Sequence, residues 1–156
     1  FHSICVRLLR MDGAAIGVTR NFVIYDEDDR QSLVKQAIKQ LAIGDRDIKA
    51  SQVSSAISQA KNNLQTPEEL TASAQYPFQK AVAQIFVRYE EMRKAAGALD
   101  FDDLLIEGVR LIRDSKEVRD KWRAHFKHIF IDEYQDTNAA QYQLVKLLVN
   151  DQQNIC

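Results

Sequence analysis

The densest chemistry in this 156-residue chain lies near its C-terminal end, where Ile129, Phe130 and Ile131 run straight into Asp132 and Glu133. A buried strand that ends on two carboxylates places them where open α/β sheets bind ligands, beyond the carboxyl ends of the strands. Consecutive strand residues point to opposite faces, but the turn that follows lets both side chains reach one pocket. Magnesium takes hard oxygen ligands and keeps several waters, so one carboxylate can hold the hydrated ion. Its neighbour can orient and deprotonate a water for attack on a phosphoryl group. An acidic turn at a strand end is the plainer reading of the same residues.

The elements that must position these carboxylates are mostly helices. Apolar residues at 1, 4, 5, 8 and 9 have helical spacing. The stretch 22–25 (Phe-Val-Ile-Tyr) reads as extended or looped, and Asp26 caps a helix whose inward stripe is Leu33, Val34, Ala37, Ile38 and Leu41, with Gly44 as its stop. A second helix covers about 51–63 through Val53, Ala56, Ile57 and Ala60. Thr66, Pro67 and Glu69 spell a capping box. A long helix over about 78–96 carries Val82, Ile85, Phe86, Tyr89 and Met92 inward and ends at Gly97. Asp100 caps the next, to about Arg113, with Asp102 and Asp103 as acids favoured at a helix start. Ser115 caps another to about His125. The clearest strand is 128–132, followed by a helix capped by Asn138, and 154–156 can open a second strand. The segment 11–17, with two glycines, reads as a flexible crossover.

Composition narrows the class. The chain is 46% hydrophobic and 28% charged, ordinary for a globular domain. A formal net charge of −1 gives no global nucleic-acid signature. Cys5 and Cys156, at opposite ends, read as free thiols. No apolar run approaches a membrane span. The basic stretch 110–127 balances seven cations with Asp114, Glu117 and Asp120, which fits a helix face laced by ion pairs. A face that contacts phosphates is the other reading, and Lys35, Lys39, Lys49 and Lys61 are further candidates for it. His125 and His128 straddle a helix-to-strand junction and make a poor zinc pair. Trp122, Phe126, Phe78, Phe86 and Tyr89 read as core.

The string Asp-Glu-Tyr-Gln-Asp-Thr-Asn at 132–138 resembles the motif II signature of the UvrD/Rep/PcrA-like superfamily 1 DNA helicases. The opening Phe-His-Ser and its helix, and Leu-Asp-Phe-Asp-Asp-Leu-Leu at 99–105, resemble two further family segments in the family's order. The resemblance implies a mainly α chain: residues 1–16 and 99–156 from a RecA-like, P-loop NTPase motor domain (1A) with one or two strands, and 17–98 as a helical insertion (1B). It implies that Asp132 holds Mg²⁺, that Glu133 is the general base, and that Gln135 links the nucleotide site to neighbouring motifs. It also implies that Phe1, His2 and Ser3 lie near single-stranded DNA. ATP, Mg²⁺, and single-stranded and duplex DNA are the implied cofactors and partners, 3′→5′ helicase activity the implied function, and the bacterial cytosol and nucleoid the implied location.

None of the glycines at 13, 17, 44, 97 and 108 begins the phosphate-binding pattern G-x-x-x-x-G-K-[ST]. The chain therefore reads as an excerpt, inactive alone, with that loop upstream. A strand without its sheet predicts an exposed edge and self-association. A nuclease-coupled relative remains open, as does a non-hydrolysing helical DNA-binding or protein-interaction module.

Overall fold

The computed structural model describes residues 1–43, 48–150 and 155–156. Two compact units emerge: Phe1–Asn21 with Asp103–Cys156, and Phe22–Asp102. The fold is mainly α, with a small parallel β component. Among the described residues, no helix is long and apolar enough to cross a membrane.

In the first unit, α1 (His2–Asp12) runs directly into a 3₁₀ turn, Gly13–Ile16. The expected flexible crossover is thus ordered, and Gly17 closes it at φ +80°, a conformation open to glycine. Cys5, Leu8 and Leu9 of α1 are buried. The unit also holds most of α6 (Phe101–Asp114), α7 (Lys116–His125) and α8 (Ala139–Leu148). At Gly108 a Cβ would come within 3.0 Å of the Cys5 sulfur, so helix α6 approaches α1 closely there. Burial pushes the Cys5 thiol up to about 12, which keeps it protonated. Ser115 caps α7 as expected, accepting from the Val118 N–H.

Trp122 is buried, and its indole N–H donates to Asp12 at 2.7 Å. Lys121 joins the same carboxylate at 2.8 Å. Five other cations of the basic stretch are similarly engaged. Lys116 pairs with Asp120 and Arg113 with Asp114. Arg110 donates to the Ile16 carbonyl, Arg119 to those of Ile112 and Arg113, and Arg123 to that of Leu147. Of the expected pairs three or four positions apart, Lys116–Asp120 and Arg110–Glu107 form; the other bonds of these cations go to backbone carbonyls, to an adjacent residue or to Asp12.

The second unit packs α2 (Glu27–Gln40), α3 (Ala50–Asn62), α4 (Pro67–Ser73) and α5 (Pro77–Ala95). Its core joins Leu33, Val34, Ala37 and Ile38 to Val53, Ile57 and Ala60 and to Val82, Ile85, Phe86 and Tyr89. Asp26 and Thr66 each close a capping box, with Asp29 and Glu69. Leu41 is exposed instead of completing the inward stripe, because α2 ends at Gln40; Gly44 lies outside the described residues.

Two findings add to the sequence reading here. First, α6 starts directly after Asp100, as expected, and residues 98–100 ahead of it also form a strand. Ala98–Asp100 (β2) pairs in parallel with Val23–Tyr25 (β1), in register Val23↔Ala98 to Tyr25↔Asp100. Gly97, at φ +61°, makes the sharp exit from α5 that permits this. Second, Asp102 is more than a dipole-favoured acid. It accepts from Arg30 at 2.9 Å and from Asn62 at 3.2 Å.

Candidate nucleotide site

Residues 126–138 build the site in the first unit. The expected strand at 128–132 is reduced to a single parallel bridge, Ile129 to Ile155. The Ile131 N–H donates to the Cys156 carbonyl at 3.1 Å, and the Cys156 N–H to that of Ile129 at 2.9 Å. Among the described residues Ile155 and Cys156 are its partners; Asn154 lies outside them. One strand cannot make a sheet by itself. The Phe130 ring is 78% exposed, and its backbone N–H and C=O have no backbone partner among the described residues.

The chain then turns sharply. Glu133 takes a left-handed conformation, φ +52° and ψ +46°. For a non-glycine residue this costs on the order of 1 kcal/mol. The 3₁₀ turn Tyr134–Asp136 offsets part of it, through the Asp136 N–H to the Glu133 carbonyl at 2.9 Å. The Gln135 side-chain amide donates to the Glu133 carboxylate. Thr137 donates its hydroxyl to the Tyr134 carbonyl, and Asn138 with Gln141 forms the capping box that starts α8. The motif string is therefore a compact turn between an extended segment and a helix.

Asp132 and Glu133 are both exposed, as the site requires. Asp132 has no intramolecular partner among the described residues, which leaves its oxygens free to ligate. Among the described residues, no cluster of three or more His, Cys, Asp or Glu is placed to hold a metal ion. The donor set suits Mg²⁺, which is commonly held by one or two carboxylates plus substrate phosphates.

Phe1, half-buried His2 and exposed Ser3 occupy the start of α1. Phe1 and Asp132 line one cavity of about 460 Å³, with Ile4, Phe126, Phe130 and Leu148 among its walls. Among the described residues no Lys or Arg lines it. Sequence reading placed Phe126 and Phe78 in the core beside Trp122, Phe86 and Tyr89. Phe126 is half-buried and Phe78 is exposed, since each sits at a helix end.

A model of the UvrD/REP helicase N-terminal domain matches residues 1–156. The chain belongs to the UvrD/REP helicase family. It is 40% identical over all of its length to the ATP-dependent DNA helicase PcrA of Staphylococcus epidermidis RP62A, and equally to that of Staphylococcus aureus Mu50. It spans 21% of each of those proteins.

Membership in the UvrD/REP family does not account for the most heavily charged interior of the chain. Lys61, 2% exposed, lies 2.8 Å from both Asp100 and Glu90. The Tyr89 hydroxyl donates to Asp100 at 2.6 Å. Arg93 pairs with Glu90 at 2.6 Å and donates to the Ala98 carbonyl at 2.5 Å. This removes Lys61 from the DNA-contact candidates. Sequence reading missed the cluster because its members lie up to 39 positions apart.

Proposed function

We propose that the chain is part of the first motor domain of an ATP-dependent 3′→5′ DNA helicase, carrying motif II. In this reading residues 17–98 are the helical insertion, and the compact unit Phe22–Asp102, with its own core, supports it. The exposed Asp132–Glu133 pair, held on an ordered turn ahead of α8, carries the reading. Asp132 would hold Mg²⁺, which when bound would supply charge neutralisation to the phosphates of ATP. Glu133 accepts a proton from the attacking water. Gln135, through its contact with the Glu133 carboxylate, fixes the direction in which that base points. Phe1, His2 and Ser3 face single-stranded DNA, and duplex DNA is the substrate opened ahead of it. The working compartment is the bacterial cytosol, at the nucleoid.

Positioning and charge neutralisation supply most of phosphoryl-transfer catalysis. The residues 1–156 contain no phosphate-cradling loop, so this chain alone is expected to hydrolyse no ATP. The test is ATPase activity on single-stranded DNA, compared between residues 1–156 and the gene product that contains them. No DNA-stimulated turnover in the longer protein would refute the motor reading.

The isolated chain is also expected to self-associate through the open edge at Phe130, by exchange of the 155–156 pairing. Light scattering should show mass rising with concentration, and Phe130→Lys should abolish the rise. A strict monomer at high concentration would rule this out.

A further inference from the structure

Asp12 is the last residue of α1, the end of a helix where the dipole disfavours a carboxylate. Its donors account for it there, and both come from α7: the buried Trp122 indole N–H at 2.7 Å and the Lys121 ammonium at 2.8 Å. The Arg7 guanidinium of α1 also lies 5.8 Å from the Trp122 ring centre. The next residue of α7 engages a different helix. Arg123 donates through its Nε to the Leu147 carbonyl at 2.8 Å. Leu147 lies in the last turn of α8, whose carbonyls lack partners inside the helix and favour a cation.

Consecutive residues of one short helix thus grip the C-terminal ends of both α1 and α8. The N-terminal end of α1 carries residues 1–3, and that of α8 follows the Asp132–Glu133 turn. Each of these two helices is about 15 Å long, and a regular helix carries the placement of one end to the other. A second contact runs the same way. Phe126, at the end of α7, stacks on Trp122 with ring centres 5.4 Å apart, and it lines the cavity shared by Phe1 and Asp132. Chemistry by a positioned base is steep in geometry: a misplacement of about 1 Å, caused far from the reacting atoms, can cost about 100-fold in rate.

We propose that α7 is a brace and that Trp122 and Arg123 are positioning residues, which hold residues 1–3 and the Asp132–Glu133 turn in the register that lets bound single-stranded DNA accelerate ATP turnover. The inference rests on the motor reading. Steady-state ATPase of the longer protein, with and without single-stranded DNA, tests it. Trp122→Phe keeps an apolar ring but loses the N–H, and Arg123→Met keeps the apolar stem but loses the donor. Each should lower the DNA-stimulated rate roughly 2- to 30-fold, with basal turnover and the half-saturating DNA concentration unchanged. Arg123→Lys restores a donor and should recover part of the stimulated rate. Both residues act through one helix, so the double variant should lose less than the product of the two single losses. Circular dichroism melting confirms that each variant is folded. An unchanged stimulated rate, an equal fall of basal and stimulated rates, a change confined to DNA affinity, or a strictly multiplicative double variant would each overturn the brace. A stimulated parent with unaffected variants overturns the brace alone, whereas a parent without stimulation overturns the motor reading with it.

Discussion

Replacing Glu133 by glutamine is expected to lower DNA-stimulated ATP turnover of the longer protein at least about 100-fold, the usual contribution of a positioned general base. That is about 2.7 kcal/mol of transition-state stabilisation. The substitution keeps length and shape but removes the proton acceptor. The left-handed turn at 133 rests on backbone bonds, which the variant retains. Its side-chain carbonyl can still accept from Gln135, so the local structure should persist. Asp132 is untouched, and nucleotide affinity with Mg²⁺ should change little. Steady-state turnover together with equilibrium binding of a fluorescent ATP analogue separates the two effects. Equal turnover in both proteins would reduce Asp132 and Glu133 to an acidic turn. It would also favour a helical module that binds without hydrolysis.

The second large effect is expected in the charged interior of the helical unit. Lys61→Met leaves Asp100 and Glu90 facing each other's surroundings without their shared cation. Removing one partner of a buried pair costs about 3–5 kcal/mol, because the remaining charge stays buried. Against a total stability of about 5–15 kcal/mol for a domain, this should shift the urea midpoint far down. Adding Asp100→Asn to Lys61→Met should recover part of the loss, since it removes the orphaned charge. A loss under about 1 kcal/mol would place these groups in contact with water and contradict their burial.

The same cluster sets a pH dependence. Burial works to raise the Glu90 pKa, but Lys61 and Arg93 together hold it below the ordinary carboxylate value. A carboxylate with a depressed folded pKa contributes stability above its unfolded pKa and loses it as pH falls through the folded value. Stability should therefore decline as pH drops below about 4.5, its ordinary value, and the decline should flatten in Glu90→Gln.

Local chemistry was legible directly in the chain. Asp26, Thr66, Ser115 and Asn138 cap where their types and spacing say they should, because a cap is decided within four residues. The apolar stripes of α2, α3 and α5 were equally plain, since a helix reports its buried face every three or four positions. The string at 132–138 pointed to the family, and the match across 1–156 bears it out. What depends on distant partners was not legible. The helix after Asp100 was foreseen, but not that residues 98–100 also pair with Val23–Tyr25 as a strand, because that pairing joins segments far apart in the chain. Residues 128–132 looked like a full strand because a short apolar run cannot count available neighbours. Lys61 looked like a surface cation until Asp100, Glu90 and Tyr89 closed around it. Only tertiary structure brings such groups together, because a buried charge is stable only where its counter-charges fold onto it, and no local spacing records that.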